Sequence, residues 1–282
     1  MPLVKDPPSS SKHSHRNSGS GFHPFGGRLS RRFGDNLSPD DPYLSYHDVR
    51  LTREDVDSIR QDDWLTDNAI CFWEEYLERE KLSGYPKAHI VLLRPSMSFM
   101  LQNTQDPLSL KSALPDFTKT THVFLPINDC RRVDVAEGGS HWSLLLVSIV
   151  DGVAFHYDSL SPSNYHHAKL VAHRISTLLG KPLRFINLED SPQQDNSMDC
   201  GVYVCLLMQH LLLSKLLRAQ AQDKISMSMR GKEVDAEGGR KEMMRIIEAR
   251  RKEGERRRSR SHSPYTGSKS RSPPRVGVEN ED

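Results

Sequence analysis

Apolar residues fall at regular intervals only in the middle of this chain, from about Asp40 to residue 230, and there the period changes from segment to segment. LSYHDV reads as a short strand, and Thr52 as the N-cap of a helix over REDVDSIR. Thr66 or Asp67 caps a second helix, in which Ile70, Trp73 and Leu77 share a face. Trp64 lies in the turn between the two helices. HIVLLRPSMSFML predicts a buried strand followed by a helix. HVFLPIND predicts another strand, whose proline argues for an edge position or a bulge because it has no N–H for a ladder. SLLLVSIV and VAFHYDS flank Asp151-Gly152, the pattern of a hairpin closed by a two-residue turn. A helix over HHAKLVAHRISTLLG should end on Gly180 in the left-handed conformation. LRFINLE is a further strand, and CGVYVCLLMQHLLLSKLL a long apolar helix at the centre of the core. Helices first, then strands, then a buried helix describe an α+β domain over residues 40–230.

The flanks have a different composition. Residues 1–39 are rich in Ser, Gly, His and Arg and are expected to be disordered. Residues 231–282 form a charged, Arg/Ser-rich tail, also largely disordered, with a solvated helix over KEMMRIIEARRKEGERRR. The chain's net charge of +2 hides this segregation: +4 over residues 1–39, −8 over 40–239, +9 over 240–275 and −3 over the last seven. A tail reading RRRSRSHSP admits nucleic acid or an import receptor as a partner, besides simple solvation. No apolar run approaches the roughly 20 residues of a membrane span, and the N-terminus has no apolar signal core. The four cysteines lack metal-ligand spacing, which favours free thiols in a reducing, intracellular compartment, cytoplasm or nucleus.

Three local features carry chemistry, each ordinary when taken singly. In GGSHW, His141 stands where a flexible Gly-Gly approach meets a strand. In HYDS, Asp158 ends the second hairpin strand, at the same end of the hairpin as His141. A two-residue turn would set Asp158 opposite Leu145, four residues from His141, so contact requires twist, a bulge or a bend. In QQDNSMDCG, Asp199 or Ser197 can cap the long helix, and Cys200 occupies its first turn, where free N–H groups and the helix dipole favour a thiolate. Gly201 clears space beside the sulfur, and Gln194 can turn its amide toward an oxyanion. Nucleophile, base, orienting carboxylate and oxyanion donor are the set that thiol acyl transfer needs. Cys71, Cys130 and Cys205 read as core residues.

The order His141, Asp158, Gln194, Cys200, in GGSHWSLL, FHYDS and QQDNSMDCG, resembles the ubiquitin-like-protein-specific cysteine proteases, the sentrin-specific or Ulp family. The likeness runs from about Leu44 to Leu217. LSYHDVRLT, WLTDNAI, FLPIND and the pair Asp158 and Asn164 resemble its deneddylase branch. CRRVDVAE ahead of GGSHW and the basic tails depart from it. The resemblance implies a papain-like α+β fold and no metal or organic cofactor. His141 would be general base, Asp158 its partner, Cys200 the nucleophile and Gln194 the oxyanion donor. Trp142 would wall a tunnel that admits only a Gly-Gly tail, and Trp64 and Asp67 would contact the modifier's C-terminal strand.

The expectation is a monomeric thiol isopeptidase that cleaves after the terminal Gly-Gly of a ubiquitin-like modifier, with the Nedd/Rub type favoured. The rivals are a SUMO protease with the same site and a non-catalytic module that only holds the modifier's tail.

Overall fold

A computed structural model describes residues 38–133, 138–219, 224–261 and 272–277. The expected disorder of the N-terminal segment falls on residues 1–37, outside those described, as does that of residues 262–271 and 278–282.

The first described elements form a hairpin, β1 (Pro42–Tyr46) and β2 (Val49–Thr52), where the sequence indicated a single strand. Helix α1 (Arg53–Arg60) follows at once, because Thr52 closes a reciprocal capping box with Asp55. Thr66, not Asp67, caps α2 (Asp67–Glu80). Buried Asp55 also accepts from the Thr66 hydroxyl at 2.6 Å and from the Asn68 amide at 3.4 Å. One carboxylate thus caps α1 and pins the start of α2, which sets the turn that carries Trp64.

The central sheet has the order β3 (Ile90–Leu92), β4 (His122–Asn128), β5 (Trp142–Ser148), β6 (Val153–Tyr157), β7 (Arg184–Asn187), parallel at both edges and antiparallel between. Strand β4 lies inside the sheet rather than at its edge. Pro126 is tolerated because β3 pairs only with residues 122–124, so the missing N–H lies beyond its end. Strand β5 is buried along its whole length, and alternate side chains serve two cores. Leu144 and Leu146 face α2, α5 (Cys200–His210) and the first hairpin. Leu145 and Val147 face α3 (Pro95–Asn103) and α4 (Tyr165–Leu179). Helix α4 ends on Gly180 at φ +60°, as its sequence indicates. Helix α5 continues into one turn of π-helix over Leu211–Leu216.

The hairpin turn differs from expectation in a way that matters for the site. Ser148 pairs with Val153, so four residues close the hairpin instead of two, with the Ser148 hydroxyl bonded to the Asp151 carboxylate. This sets position 158 opposite Ser143 rather than Leu145, two residues nearer to His141.

The C-terminal segment also corrects the sequence reading. Helix α6 (Ala236–Ser261) is packed, not solvated: Met243, Ile246 and Ile247 are buried in the same core as α1, α2 and α5. Beyond it, β8 (Arg275–Val276) adds to β1 as a parallel strand. The packed unit therefore runs past residue 230. The helix's low mean hydropathy hid a short buried patch, because a polar first turn and a long arginine-rich stretch after the patch dilute the average.

Candidate active site

The His141 side of the site is built by the β4–β5 ladder. His141 immediately precedes β5, and its backbone N–H donates to the Asp129 carboxylate at 3.1 Å. The same carboxylate accepts from the Ser140 N–H and, at 2.6 Å, from the Ser140 hydroxyl. Gly139 makes room for this arrangement. At φ +88°, a Cβ would lie 2.0 Å from Asn128 Oδ1 and 2.5 Å from Asp129 Oδ1. The glycine here supplies clearance and a left-handed conformation rather than flexibility.

His141 Nε2 donates to Asp158 Oδ1 at 2.6 Å, with the two side chains 5% and 1% exposed. The four-residue turn, and the chain leaving β6 after Tyr157, supply the bend that a strict register lacked. Burial alone pulls the imidazole down. The hydrogen bond that His141 donates to Asp158, and then the interaction with Cys200, overcome burial and raise His141 to about 9. Asp158 is shifted the other way. Burial would raise it, but the bonds from His141, from the Asn164 N–H (2.9 Å) and from the Leu160 N–H (3.0 Å) hold it below the usual carboxylate value. Asn164, fully buried, donates its amide to the carbonyls of Ile127 and His141, both at 3.1 Å. It thereby joins Asp158, β4 and the histidine backbone.

Cys200 is the first residue of α5 and is 1% exposed. Gly201 lets the helix start against Leu65, whose Cβ would stand 2.9 Å from an added methyl. Neither suggested residue caps α5 with its side chain. Asp199 holds the N-cap position, but its carboxylate accepts from Asn196 Nδ2 at 2.7 Å and from Arg240 at 2.7 and 2.9 Å. Among the described residues, no side chain therefore caps the first N–H groups of α5, where Cys200 lies.

Gln194 accepts from the Ser159 hydroxyl at 2.7 Å, which fixes the amine edge of its amide, and donates to the Asn196 carbonyl at 2.7 Å. Its amide makes no second donated bond among the described residues. Its neighbour Gln193 ties the nucleophile loop to the acid, donating to the Asp158 carbonyl at 2.8 Å and accepting from the Ser161 N–H at 3.1 Å. On sequence alone Gln194 is the candidate and Gln193 has no assigned role.

Trp64 is half-buried and donates its indole N–H to the Ser197 carbonyl, so it lies on the nucleophile loop. Trp142 is 3% exposed within the core that contains Cys200, and its indole N–H has no partner among the described residues. Asp67 is exposed at the start of α2.

A thiol opening a central helix against a sheet that supplies a histidine and its acid is the architecture of the papain-like cysteine proteases. Residues 63–242, well over half the chain, match the model of the Ulp1 protease family, C-terminal catalytic domain, and the chain belongs to that family. It is 37% identical over 209 residues to NEDD8-specific protease 2 of Schizosaccharomyces pombe, a match that covers 73% of this chain and 50% of the relative. It is also 37% identical over 166 residues to sentrin-specific protease 8 of Homo sapiens, covering 57% of this chain and 76% of that one. Against the S. pombe NEDD8-specific proteases 2 and 1, the chain spans only about half of the relative's length or less. The C-terminal Ulp1 protease domain in complex with Smt3, the yeast ortholog of SUMO, superposes with a TM-score of 0.52 at 19% identity, over 73% of this chain and 86% of that one. This likeness concerns the fold. Among the described residues, no helix is long and apolar enough to cross a membrane.

Proposed function

We propose that this protein is a thiol isopeptidase that cleaves after the terminal Gly-Gly of a ubiquitin-like modifier, acts on the Nedd/Rub type in preference to SUMO, and works as a monomer. The observation that carries the reading is the His141 imidazole, bonded through Nε2 to the buried Asp158 carboxylate and raised to about 9 by Asp158 and by Cys200, the first residue of α5. A histidine so placed is an imidazolium that stabilises the Cys200 thiolate and has a proton to give.

The thiolate attacks the glycine carbonyl carbon, and the resulting oxyanion is met by the Cys200 N–H and the remaining amide hydrogen of Gln194. As the C–N bond breaks, His141 passes its proton to the leaving lysine amine. Water, deprotonated by the now neutral His141, then splits the thioester, and the glycine carboxylate leaves as its proton passes to solvent, with the Cys200 thiolate and the His141 imidazolium restored. Trp142 and Trp64 form walls that exclude a β-carbon at the two glycines, and Asp67 contacts the strand ahead of them. The names of the relatives favour the Nedd/Rub type, since NEDD8-specific proteases of Schizosaccharomyces pombe and Arabidopsis thaliana align at 35–38% identity.

Hydrolysis of NEDD8–fluorophore and SUMO–fluorophore conjugates, side by side, tests the reading. The expected result is faster release from the NEDD8 conjugate, with Cys200→Ala abolishing turnover while retaining modifier binding. Preference for the SUMO conjugate would leave the mechanism and reverse the selectivity. Full turnover by Cys200→Ala would remove the mechanism, and binding by the wild type without any turnover would leave only a modifier-holding module.

A further inference from the structure

We infer that Arg240, from the C-terminal helix α6, is a positioning residue for the nucleophile, resting on the thiol chemistry proposed above. It is 4% exposed, and every guanidinium nitrogen is engaged. Nε and Nη2 both reach Asp199 Oδ1, at 2.9 and 2.7 Å. Nη1 donates to the carbonyls of Ser58 (2.9 Å) and Ile59 (3.3 Å), and Nη2 to those of Asp63 (2.8 Å) and Met198 (3.4 Å).

These acceptors belong to two separate segments, the end of α1 with the turn before Trp64 and the loop before Cys200. Ser58 and Ile59 lie in the last turn of α1, whose carbonyls have no partner within the helix, and Asp63 precedes Trp64. Met198 and Asp199 precede Cys200. One side chain therefore caps α1 from 182 residues away and fastens the Trp64 turn to the nucleophile loop.

The charge matters as well. A carboxylate one residue before a thiolate opposes it, and at an N-cap it would ordinarily turn onto the first N–H groups of the helix. Arg240, helped by Asn196, draws the Asp199 carboxylate away and neutralises it, leaving the start of α5 to the sulfur and the oxyanion. A planar fork is required: lysine has the charge but cannot reach the two chain segments and the carboxylate together.

The test uses the full chain and two readouts: turnover of the modifier–fluorophore conjugate, and the pH profile of Cys200 alkylation by iodoacetamide, followed by mass spectrometry of the Cys200 peptide. Arg240→Lys should keep the alkylation midpoint and lose at least about tenfold in kcat, because the charge remains and the fork does not. Arg240→Gln should lose more and shift the midpoint upward by about one pH unit, because the Asp199 charge is uncovered. Adding Asp199→Asn to Arg240→Gln should return the midpoint toward wild type without restoring kcat. Urea unfolding identifies variants that fold, and should Arg240→Gln not fold, the Lys variant alone decides through its kcat. Wild-type kcat in Arg240→Lys, or an unmoved midpoint in folded Arg240→Gln, overturns the inference. Should the wild type cleave no conjugate while the midpoint still follows residue 240, the isopeptidase reading falls and the positioning role stands.

Discussion

The proposed base and the proposed nucleophile of this site are held by different kinds of structure. His141 and Asp158 are placed by a ladder: seven consecutive β4–β5 pairs and five β5–β6 pairs set their backbones, and both side chains are buried. Cys200 is placed by a loop, residues 191–199, with no ladder of its own. Side chains from elsewhere fasten that loop: Ser159 on Gln194, Trp64 on Ser197 and Arg240 on Asp199. A ladder transmits position through repeated backbone bonds, so no single side chain is decisive. A loop tied at a few points depends on each tie, and its partners come from distant parts of the chain.

The largest effect should come from the base side, at the one side-chain bond it does depend on. Asp158→Asn preserves shape and removes charge, so kcat should fall by about 10⁴-fold, the loss seen when the acid of a catalytic triad is made neutral. If kcat falls less than tenfold, the orienting role of Asp158 is wrong and the ladder alone positions the imidazole.

Next comes Gly139→Ala, which attacks the approach to that ladder. The added methyl overlaps Asn128 and Asp129 at a φ of +88°, so stability measured by urea unfolding should drop by about 2–4 kcal/mol. The kcat should fall with it, since Asp129 holds the His141 N–H. A variant as stable as wild type would mean that the Asn128 and Asp129 side chains relax freely, and that this side of the site is less rigid than the ladder suggests.

The smallest effect is that of pH. His141 is raised from its unfolded value near 6.5 to about 9, so it stabilises the fold fully below pH 6.5, and that contribution is lost as pH rises toward 9. Stability should therefore decline over that window, and Cys200→Ser should narrow the window by removing one of the two groups that raise the imidazole. A flat profile between pH 6.5 and 9 in the wild type would contradict a charged His141 in the free protein.

How legible each part was in the sequence follows from the range of the interactions that built it. Thr52, Gly180 and the period of α2 act within a few residues, and the structure contains the elements they indicate. The hairpin was legible as a hairpin, but Asp151-Gly152 misled on its length, because the Ser148–Asp151 bond stabilises a longer turn that composition does not reveal. Helix α6 was legible as a helix and not as a packed one. Its apolar face is a short patch among arginines, and only the core beneath it shows that the patch is buried.

By itself the chain determined its α+β order, its capped helices, and the residue types at positions 141, 158, 194 and 200, since these depend on local conformation and on side-chain chemistry. Only the tertiary structure decided that His141 meets Asp158, that Asp199 turns from its helix to Arg240, and that the C-terminal helix reaches the nucleophile loop. Those facts rest on a turn's exact length and on contacts between residues 17 to 41 positions apart, and a linear pattern has no means of measuring such distances.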